Sequence, residues 1–281
     1  MSTQATEGEF IATMEDPDDP DMFQRNRIHT NAGAREYGFE RAFVGGVTLY
    51  GWCVPTIVEA LGEQWLEDGW VNMRFRRPVY PGARVHVRVS APQDGSGSHV
   101  FQAMQEDGEV AITGAVGLGT AAWLSDLRET PFSLPAATAA QRPVLTLADA
   151  PTGKPLRSYR YGRQTPEPEF SAAAHSGLTE LATSAGPVIH PATMARQMIS
   201  LLAGSYEYGK PSIHAESHIQ HLARVPADQD VVLCGTFVTA YERNGHHYAV
   251  IDADLYTLAA ERLARLRHTN IFRVRQAAAT A

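Results

Sequence analysis

Residues 26–62, NRIHTNAGAREYGFERAFVGGVTLYGWCVPTIVEALG, combine a polar turn that contains a histidine, a Gly-Gly pair and a long apolar run. From Gly46 onward the run has the composition of a helix without a polar face. Its apolar side chains are Val47, Leu49, Tyr50, Val54, Ile57, Val58 and Leu61. The pattern predicts a helix buried on nearly every side, and the run is too short and too interrupted to span a membrane.

Two segments that follow the predicted helix, residues 70–90 and 99–119, alternate apolar and polar side chains and are rich in Val, Phe and Arg. This alternation is typical of antiparallel strands with one solvated face. A buried helix followed by such strands predicts an α+β fold in which an antiparallel sheet wraps round a central helix.

The order of these motifs resembles the MaoC-like hydratases and dehydratases, also called (R)-specific enoyl-CoA hydratases, which have the hotdog fold. Asn26 and His29 match the Asn and His of the family motif DxNPxH, and Gly38-Phe39 match its later GF. Gly46 matches the Gly of the HG pair that opens the central helix. Residues 74–82 are similar to the family's FxxPVxPG strand and turn.

Three positions depart from the family pattern. Gln24 stands where the family has its catalytic Asp, Arg27 where it has Pro, and Gly45 where it has the His of HG. An amide cannot take a proton at neutral pH, so Gln24 can position water but cannot act as a base. Asp21, in an acidic loop, is a weaker candidate to replace the missing carboxylate.

The resemblance implies a catalytic role for His29 as acid and base, with Asn26 as its orienting neighbour and Gln24 beside them. It also implies that Gly45 and Gly46 form the region that donates a hydrogen bond to a developing oxyanion. A Gly-Gly pair at a helix start fits close approach of a ligand to the backbone. Without the resemblance, His29 would cap a turn before a short helix over residues 32–37, with Asn26 as its N-cap.

Further candidates for substrate binding are Tyr50, Arg74 and Arg76. Tyr50 is a candidate for an acyl pocket, although aromatic residues on a buried helix more often belong to a core. Arg74 and Arg76 have two equal interpretations, a channel for the phosphates of CoA or phosphopantetheine and an ordinary solvent face.

The second half repeats the order of the first, which predicts a double hotdog. It has a histidine turn at His175, then His190-Pro191 before a second apolar helix, where the first half has Gly45-Gly46. Asn244-Gly245 predicts a hairpin turn between later strands. We expect an N-terminal unit over residues 1–125, a linker over 126–155 and a C-terminal unit over 156–281.

Histidines in the second half raise the question of a metal site. Strand alternation would point His214, Glu216 and His218 to one face and His221 to the other. A solvated sheet face is the better interpretation, because no Cys or Asp nearby completes a tetrahedral set. We expect no metal and no cofactor.

The whole-chain composition limits the class of protein further. The chain has 281 residues and a formal net charge of -7, which argues against nucleic-acid and anionic-membrane partners. No secretory signal or hydrophobic span is visible, so we expect a cytoplasmic protein. Cys53 and Cys234 lie in apolar surroundings and are interpreted as two reduced core thiols.

The functional hypothesis is a hydratase or dehydratase that acts on an enoyl or 3-hydroxyacyl thioester of CoA or of an acyl carrier protein, in a homo-oligomer such as a dimer. Two alternatives stay open. One is another hotdog reaction, a thioesterase, an isomerase or a biosynthetic cyclase, because Gln24 replaces the acid while His29 is retained. The other is a non-catalytic subunit that binds acyl thioesters, because the motif is altered in both halves.

Overall fold

The computed structural model describes residues 5–18, 26–92, 97–136, 141–162 and 178–275. Its main sheet has ten strands in the spatial order β1-β3-β4-β5-β2-β9-β12-β11-β10-β6, and every neighbouring pair is antiparallel. The first-half strands are β1 (Thr6–Ile11), β2 (Gly69–Phe75), β3 (Arg84–Val89), β4 (His99–Gln105) and β5 (Val110–Leu118). The second-half strands are β6 (Tyr159–Tyr161), β9 (Ile213–His221), β10 (Val231–Arg243), β11 (His246–Thr257) and β12 (Arg262–Arg273), and the short β7 (Glu180–Leu181) and β8 (Val188–Ile189) form a separate pair.

Within these ranges four α-helices accompany the strands: α1 (Asn31–Glu36), α2 (Gly46–Leu61), α3 (Trp65–Asp68) and α4 (Pro191–Ser205). The two long helices, α2 and α4, pack against each other. Their close approach depends on Gly51, since a Cβ there would lie 3.0 Å from the Cβ of Ala192. Tyr50, Cys53, Val54 and Ile57 of α2 are fully buried, which confirms the predicted buried helix except along one stripe, where Pro55 and Glu59 are exposed.

The two halves join through the edge strands β2 and β9. Val71 pairs with Ile219 and Met73 with Ser217, so the five first-half strands and the second-half strands form one continuous sheet. Each half contributes one long helix to the shared apolar core, in which Met73, Ile219 and Met198 are buried together. This arrangement is the predicted double hotdog.

Residues 126–130, at the start of the predicted linker, lie across strands β11 and β12. The carboxylates of Asp252 and Asp254 accept from the backbone N–H groups of Arg128 and Thr130, at 2.8 and 2.7 Å. Both aspartates are completely buried and also form ion pairs, Asp252 with Arg267 at 2.7 Å and Asp254 with Arg265 at 2.9 Å. Buried charges are stable only when paired and hydrogen-bonded, and here the backbone completes both pairs. The limits of the units and the linker stay predictions.

Strand β9 departs from the predicted alternation because it bulges. Glu216 pairs with Thr269 and His214 with Asn270, so Ala215 is an extra residue on β9. The bulge turns His214 to the face that Ser217 occupies, where the two side chains bond at 2.6 Å, away from Glu216 and His218. The expected solvated face is therefore wrong for His214, which is 8% exposed, whereas His221, predicted on the opposite face, is buried.

Several local predictions can be compared directly with the described residues. The hairpin at Asn244-Gly245 is confirmed, with positive φ angles of 54° and 79°. Cys53 and Cys234 are buried free thiols, as expected. Within the described ranges no group of three or more His, Cys, Asp or Glu side chains is arranged to hold a metal ion. No helix in those ranges is long and apolar enough to cross a membrane.

Candidate active site

A cavity of about 1160 Å³ opens at the amino end of α2, between the two halves of the chain. The first half contributes Asn26, His29 and the Gly45-Gly46 pair to its walls. The second half contributes one side of α4, including Thr193 and Arg196, and the ends of strands β9 and β12. The motif that carries the sequence resemblance is thus gathered at one concave site, as small-molecule sites are.

His29 ends a single 3-10 turn, Arg27–His29, that brings its half-buried ring against the start of α2. Its Nδ1 lies 2.8 Å from the carbonyl oxygen of Phe43. Burial lowers the pKa of His29, and this exceeds the opposing effect of the Phe43 carbonyl. A neutral ring that donates from Nδ1 carries its lone pair on Nε2, so Nε2 can accept a proton at neutral pH.

The start of α2 faces this ring. A Cβ at Gly45 would lie 3.7 Å from Nε2 of His29, and a Cβ at Gly46 would lie 2.9 Å from a ring carbon of Phe75. No side chain in the described part of the chain caps the helix at Gly45. The first N–H groups of a helix are unpaired and carry a partial positive charge. Two glycines leave this end open to a ligand, and the Phe75 ring explains why Gly46 has little room for a side chain.

Asn26 connects the two halves at the rim of the site. Its amide nitrogen donates to the backbone oxygen of Ser212 at 2.9 Å. Its Oδ1 is buried and has no hydrogen-bond partner among the described residues. Asn26 does not cap α1, because Thr30 is the N-cap and accepts from the N–H of Gly33 at 3.1 Å. Asn26 stands at the N-cap position of the Arg27–His29 turn, but its side chain makes no capping bond there and instead fixes this turn against the second half.

The structure separates the remaining predicted binding residues. Tyr50 is fully buried in the core and lies outside the cavity lining, because the helix turns it away from the open end. Arg74 also lies outside the lining and pairs with Glu216 at 2.9 Å. Alternation along β2 places Arg74 opposite to Phe75, which faces α2. Arg76, just beyond the end of the strand, is exposed and does line the cavity.

Other predicted site residues fall outside the described ranges. These are Gln24, Asp21 and His175. The role of Gln24 beside His29 stays a prediction.

Sequence reasoning missed the contribution of the second half to the cavity. His214 and Asn270 line it from strands β9 and β12, and Arg196 lines it from α4. Simple alternation assigned His214 to the wrong group of residues, because a bulge cannot be read from the sequence pattern. The signal that was present is the uncharged polar stretch HTN at residues 268–270, which interrupts the alternation of apolar residues and arginines in this strand.

The fold has counterparts among solved structures. A conserved hypothetical protein from Mycobacterium tuberculosis, described as having a double hotdog fold, matches with a TM-score of 0.56 and 13% identity over 95% of this chain and 96% of its own. A protein from Chloroflexus aurantiacus described as a MaoC domain protein dehydratase matches with a TM-score of 0.53 and 13% identity over 96% of this chain and 95% of its own. The dehydratase domain of RzxB from Pseudomonas fluorescens matches with a TM-score of 0.51 and 14% identity over 93% of each chain.

The chain is a double hotdog. Its likeness to MaoC-domain structures extends over nearly the whole length of both chains. No protein-family model matches the sequence, and no curated protein matches it. At identities this low the likeness shows the fold alone.

Proposed function

We propose that the protein is an acyl-thioester enzyme, and that it hydrates an enoyl thioester or dehydrates a 3-hydroxyacyl thioester. The observation that carries the proposal is the meeting of a neutral His29, with its Nε2 unprotonated, and an uncapped helix start inside one cavity. MaoC-domain dehydratases share the fold, which supports this choice of reaction within the fold.

The proposed reaction uses His29 twice. Nε2 takes a proton from water as the water oxygen bonds to C3 of the enoyl thioester, and the electron pair of the double bond moves to the thioester oxygen as an enolate. The N–H of Gly46, at the positive end of α2, stabilises that enolate. The imidazolium then returns the proton to C2, so that water has been added and the ring is neutral again.

The lowered pKa of His29 suits the first of these steps. A base must be unprotonated when the substrate binds, and burial keeps the ring neutral at pH 7. Asn26 holds the turn that carries the ring, and its unpaired Oδ1 offers an acceptor for the water. Gln24 is proposed to position the same water, since an amide cannot share the proton transfer.

A second candidate reaction is hydrolysis of the thioester, favoured by Gln24 in place of the family's Asp. The same His29 would deliver water to the carbonyl carbon, the α2 start would stabilise the tetrahedral oxyanion, and the proton would pass to the leaving thiolate. Arg76, exposed at the cavity wall, is the proposed contact for an anionic carrier. Assembly into a homo-oligomer stays a prediction.

The deciding experiment follows both reactions on short and medium trans-2-enoyl-CoA substrates with the purified protein. Loss of the conjugated-thioester absorbance without release of free thiol measures hydration, and loss of absorbance accompanied by an equal release of thiol measures hydrolysis. We expect hydration, its loss in His29→Ala, and a higher rate in Gln24→Asp, which restores a carboxylate. Thiol release that depends on His29 would support hydrolysis instead. Tight binding without either reaction would contradict the enzymatic proposal and favour a binding subunit.

A further inference from the structure

A buried polar patch interrupts the core beneath the two long helices. It consists of two cross-strand pairs, His214 with Asn270 and Ser217 with His268, on neighbouring strands β9 and β12. All four side chains are at most 8% exposed. The next pair along the strands, Ile219 with Leu266, is apolar and fully buried.

Ser217 connects the two histidines through one nitrogen of each ring, while Nδ1 of His214 and Nε2 of His268 have no hydrogen-bond partner among the described residues. Ser217 Oγ lies 2.6 Å from Nε2 of His214 and 3.4 Å from Nδ1 of His268, and the two imidazole rings are 4.4 Å apart. Burial is the first cause that lowers the pKa of each histidine, to about 3 for His268. Both rings are therefore neutral at pH 7 and act as a rigid polar wall.

Asn270 differs from the two histidines because both polar atoms of its side chain lack a partner in the described part of the chain. It is 1% exposed, and neither its amide nitrogen nor its amide oxygen has a hydrogen-bond partner within the described ranges. An unsatisfied buried polar group is rare, and an amide that lacks every partner is a cost to the folded protein. Asn270 lines the cavity, so it presents a donor and an acceptor to whatever enters it.

The patch is continuous with the proposed reaction site. Phe75 contacts the Gly46 position with one ring edge, and its ring centre lies 4.5 Å from that of His214. Asn26, beside His29, bonds to Ser212, two residues before His214. Asn270 is thus placed to meet a part of the substrate other than the reacting carbons.

We propose that Asn270 recognises a hydroxyl group on the acyl chain, and that the substrates are oxygen-bearing rather than plain alkyl thioesters. A hydroxyl group can donate to Oδ1 and accept from Nδ2 at once, which satisfies both halves of the amide. An alkyl chain would bury the amide against carbon and leave it unpaired. This inference rests on the proposed acyl-thioester function and names its substrate class.

The test uses CoA thioethers that cannot be hydrolysed, each with a 2-oxoalkyl chain that is either plain or hydroxylated at its end, over a series of chain lengths. Their dissociation constants are measured by calorimetry. At the chain length that reaches Asn270, the hydroxylated compound is expected to bind roughly tenfold more tightly, the ratio typical of one satisfied buried hydrogen bond. Asn270→Leu removes this preference, and it binds the plain compound at least as tightly as the wild-type protein does, because no amide is left to be buried against carbon.

Melting temperature separates recognition from a structural role. Leu has the same branched shape and number of side-chain heavy atoms as Asn and needs no hydrogen-bond partner, so Asn270→Leu raises the melting temperature of the unliganded protein if the amide serves to bind a ligand. Thr269→Val is the matched control, since the adjacent side chain lies outside the cavity lining and should leave the preference intact.

Three results would overturn the inference. They are equal or tighter binding of the plain compounds at every length, a preference that survives in Asn270→Leu, and a large fall in the melting temperature of that variant. If plain compounds bind well and hydroxylated ones bind no better, the inference alone fails. If neither kind binds to the wild-type protein, the acyl-thioester function fails as well.

Discussion

The two long helices begin with nearly the same backbone conformation at the N-cap, but their first N–H groups have different surroundings. The N-cap of α2, Gly45, has φ -61° and ψ 138°, and the N-cap of α4, His190, has φ -62° and ψ 134°. At α4 the His190 ring accepts from the N–H of Ala192 at 3.1 Å, and Pro191 has no N–H to offer. At α2 two glycines leave the N–H groups exposed to the cavity and to His29.

This difference shows how a repeated unit can divide its roles. The second helix start is closed by its own side chains and contributes to stability. The first is left open, a local cost to the helix that a ligand oxyanion can relieve. Under the proposed function, one copy of the motif is organised for chemistry, and the other supports the shared core and the far wall of the cavity.

The largest expected effect comes from removing one N–H at the open helix start. Gly46→Pro eliminates that donor, whereas Gly46→Ala keeps it, and both introduce a Cβ that meets the Phe75 ring. Because proline is well tolerated at the first position of a helix, the two variants should fold alike. We expect kcat for Gly46→Pro to be roughly 100- to 1000-fold below that of Gly46→Ala in steady-state assays. Equal kcat values would show that the N–H takes no part in the reaction.

The second largest expected effect is a loss of folding stability at acid pH, caused by buried histidines of the second half. His190 and His221, both in the second half, are buried, and burial lowers the pKa of each from 6.5 to about 4. Each takes up a proton on unfolding once the pH drops below 6.5, so its contribution to stability is present above that value and is lost as the pH falls toward 4. The loss is on the order of 3 kcal/mol per histidine.

His221→Phe tests this contribution. Its ring lies 5.0 Å from that of Trp65, and both ring nitrogens lack partners among the described residues, so an aromatic hydrocarbon should fit. Urea unfolding of this variant at pH 7 and at pH 4.5 should show a smaller fall in the free energy of unfolding than the wild-type protein shows. His86→Phe, at a half-exposed first-half position, is the control and should leave the fall unchanged. An unchanged fall in His221→Phe would contradict the account.

The smallest effect concerns the closed helix start. His190→Asn retains a capping side chain at α4, whereas His190→Leu fills similar space without one. Loss of an N-cap costs about 1 kcal/mol, so the Leu variant should be less stable than the Asn variant by that amount in chemical unfolding. Turnover should be the same in both variants, because the ring of His190 lies outside the cavity lining. Equal stabilities would show that the cap at α4 contributes nothing.

Local patterns explain most of what the sequence could predict. The run after Gly46 has no polar face, so it predicts a buried helix, and the helix forms over Gly46–Leu61. Asn244-Gly245 predicts a hairpin turn locally, because these two residues readily adopt the positive φ angles that the turn needs. The double hotdog follows from repetition of helix and strands in both halves, and it also required the resemblance carried by Asn26, His29 and Gly46.

The rest depends on contacts that no local pattern carries. The partner of Asn26 is Ser212, 186 residues away, and only the pairing of β2 with β9 brings the two together. One extra residue in β9 reverses the side of His214. The sequence makes Tyr50 a plausible wall residue, because a helix that is apolar on nearly every side has no evident inward face, but the rotation of α2 buries Tyr50 in the core.

The central claim is that the first half alone carries the proposed chemistry. Its most direct test replaces a histidine by asparagine once in each half, in two separate variants. His29→Asn and His190→Asn are compared by kcat/KM on a short trans-2-enoyl-CoA, with melting temperatures recorded for both. The account predicts a loss of roughly 100-fold or more for His29→Asn, since it removes the proposed acid and base, and a value near wild type for His190→Asn. Equal losses in two folded variants, or a loss only in His190→Asn, would contradict it.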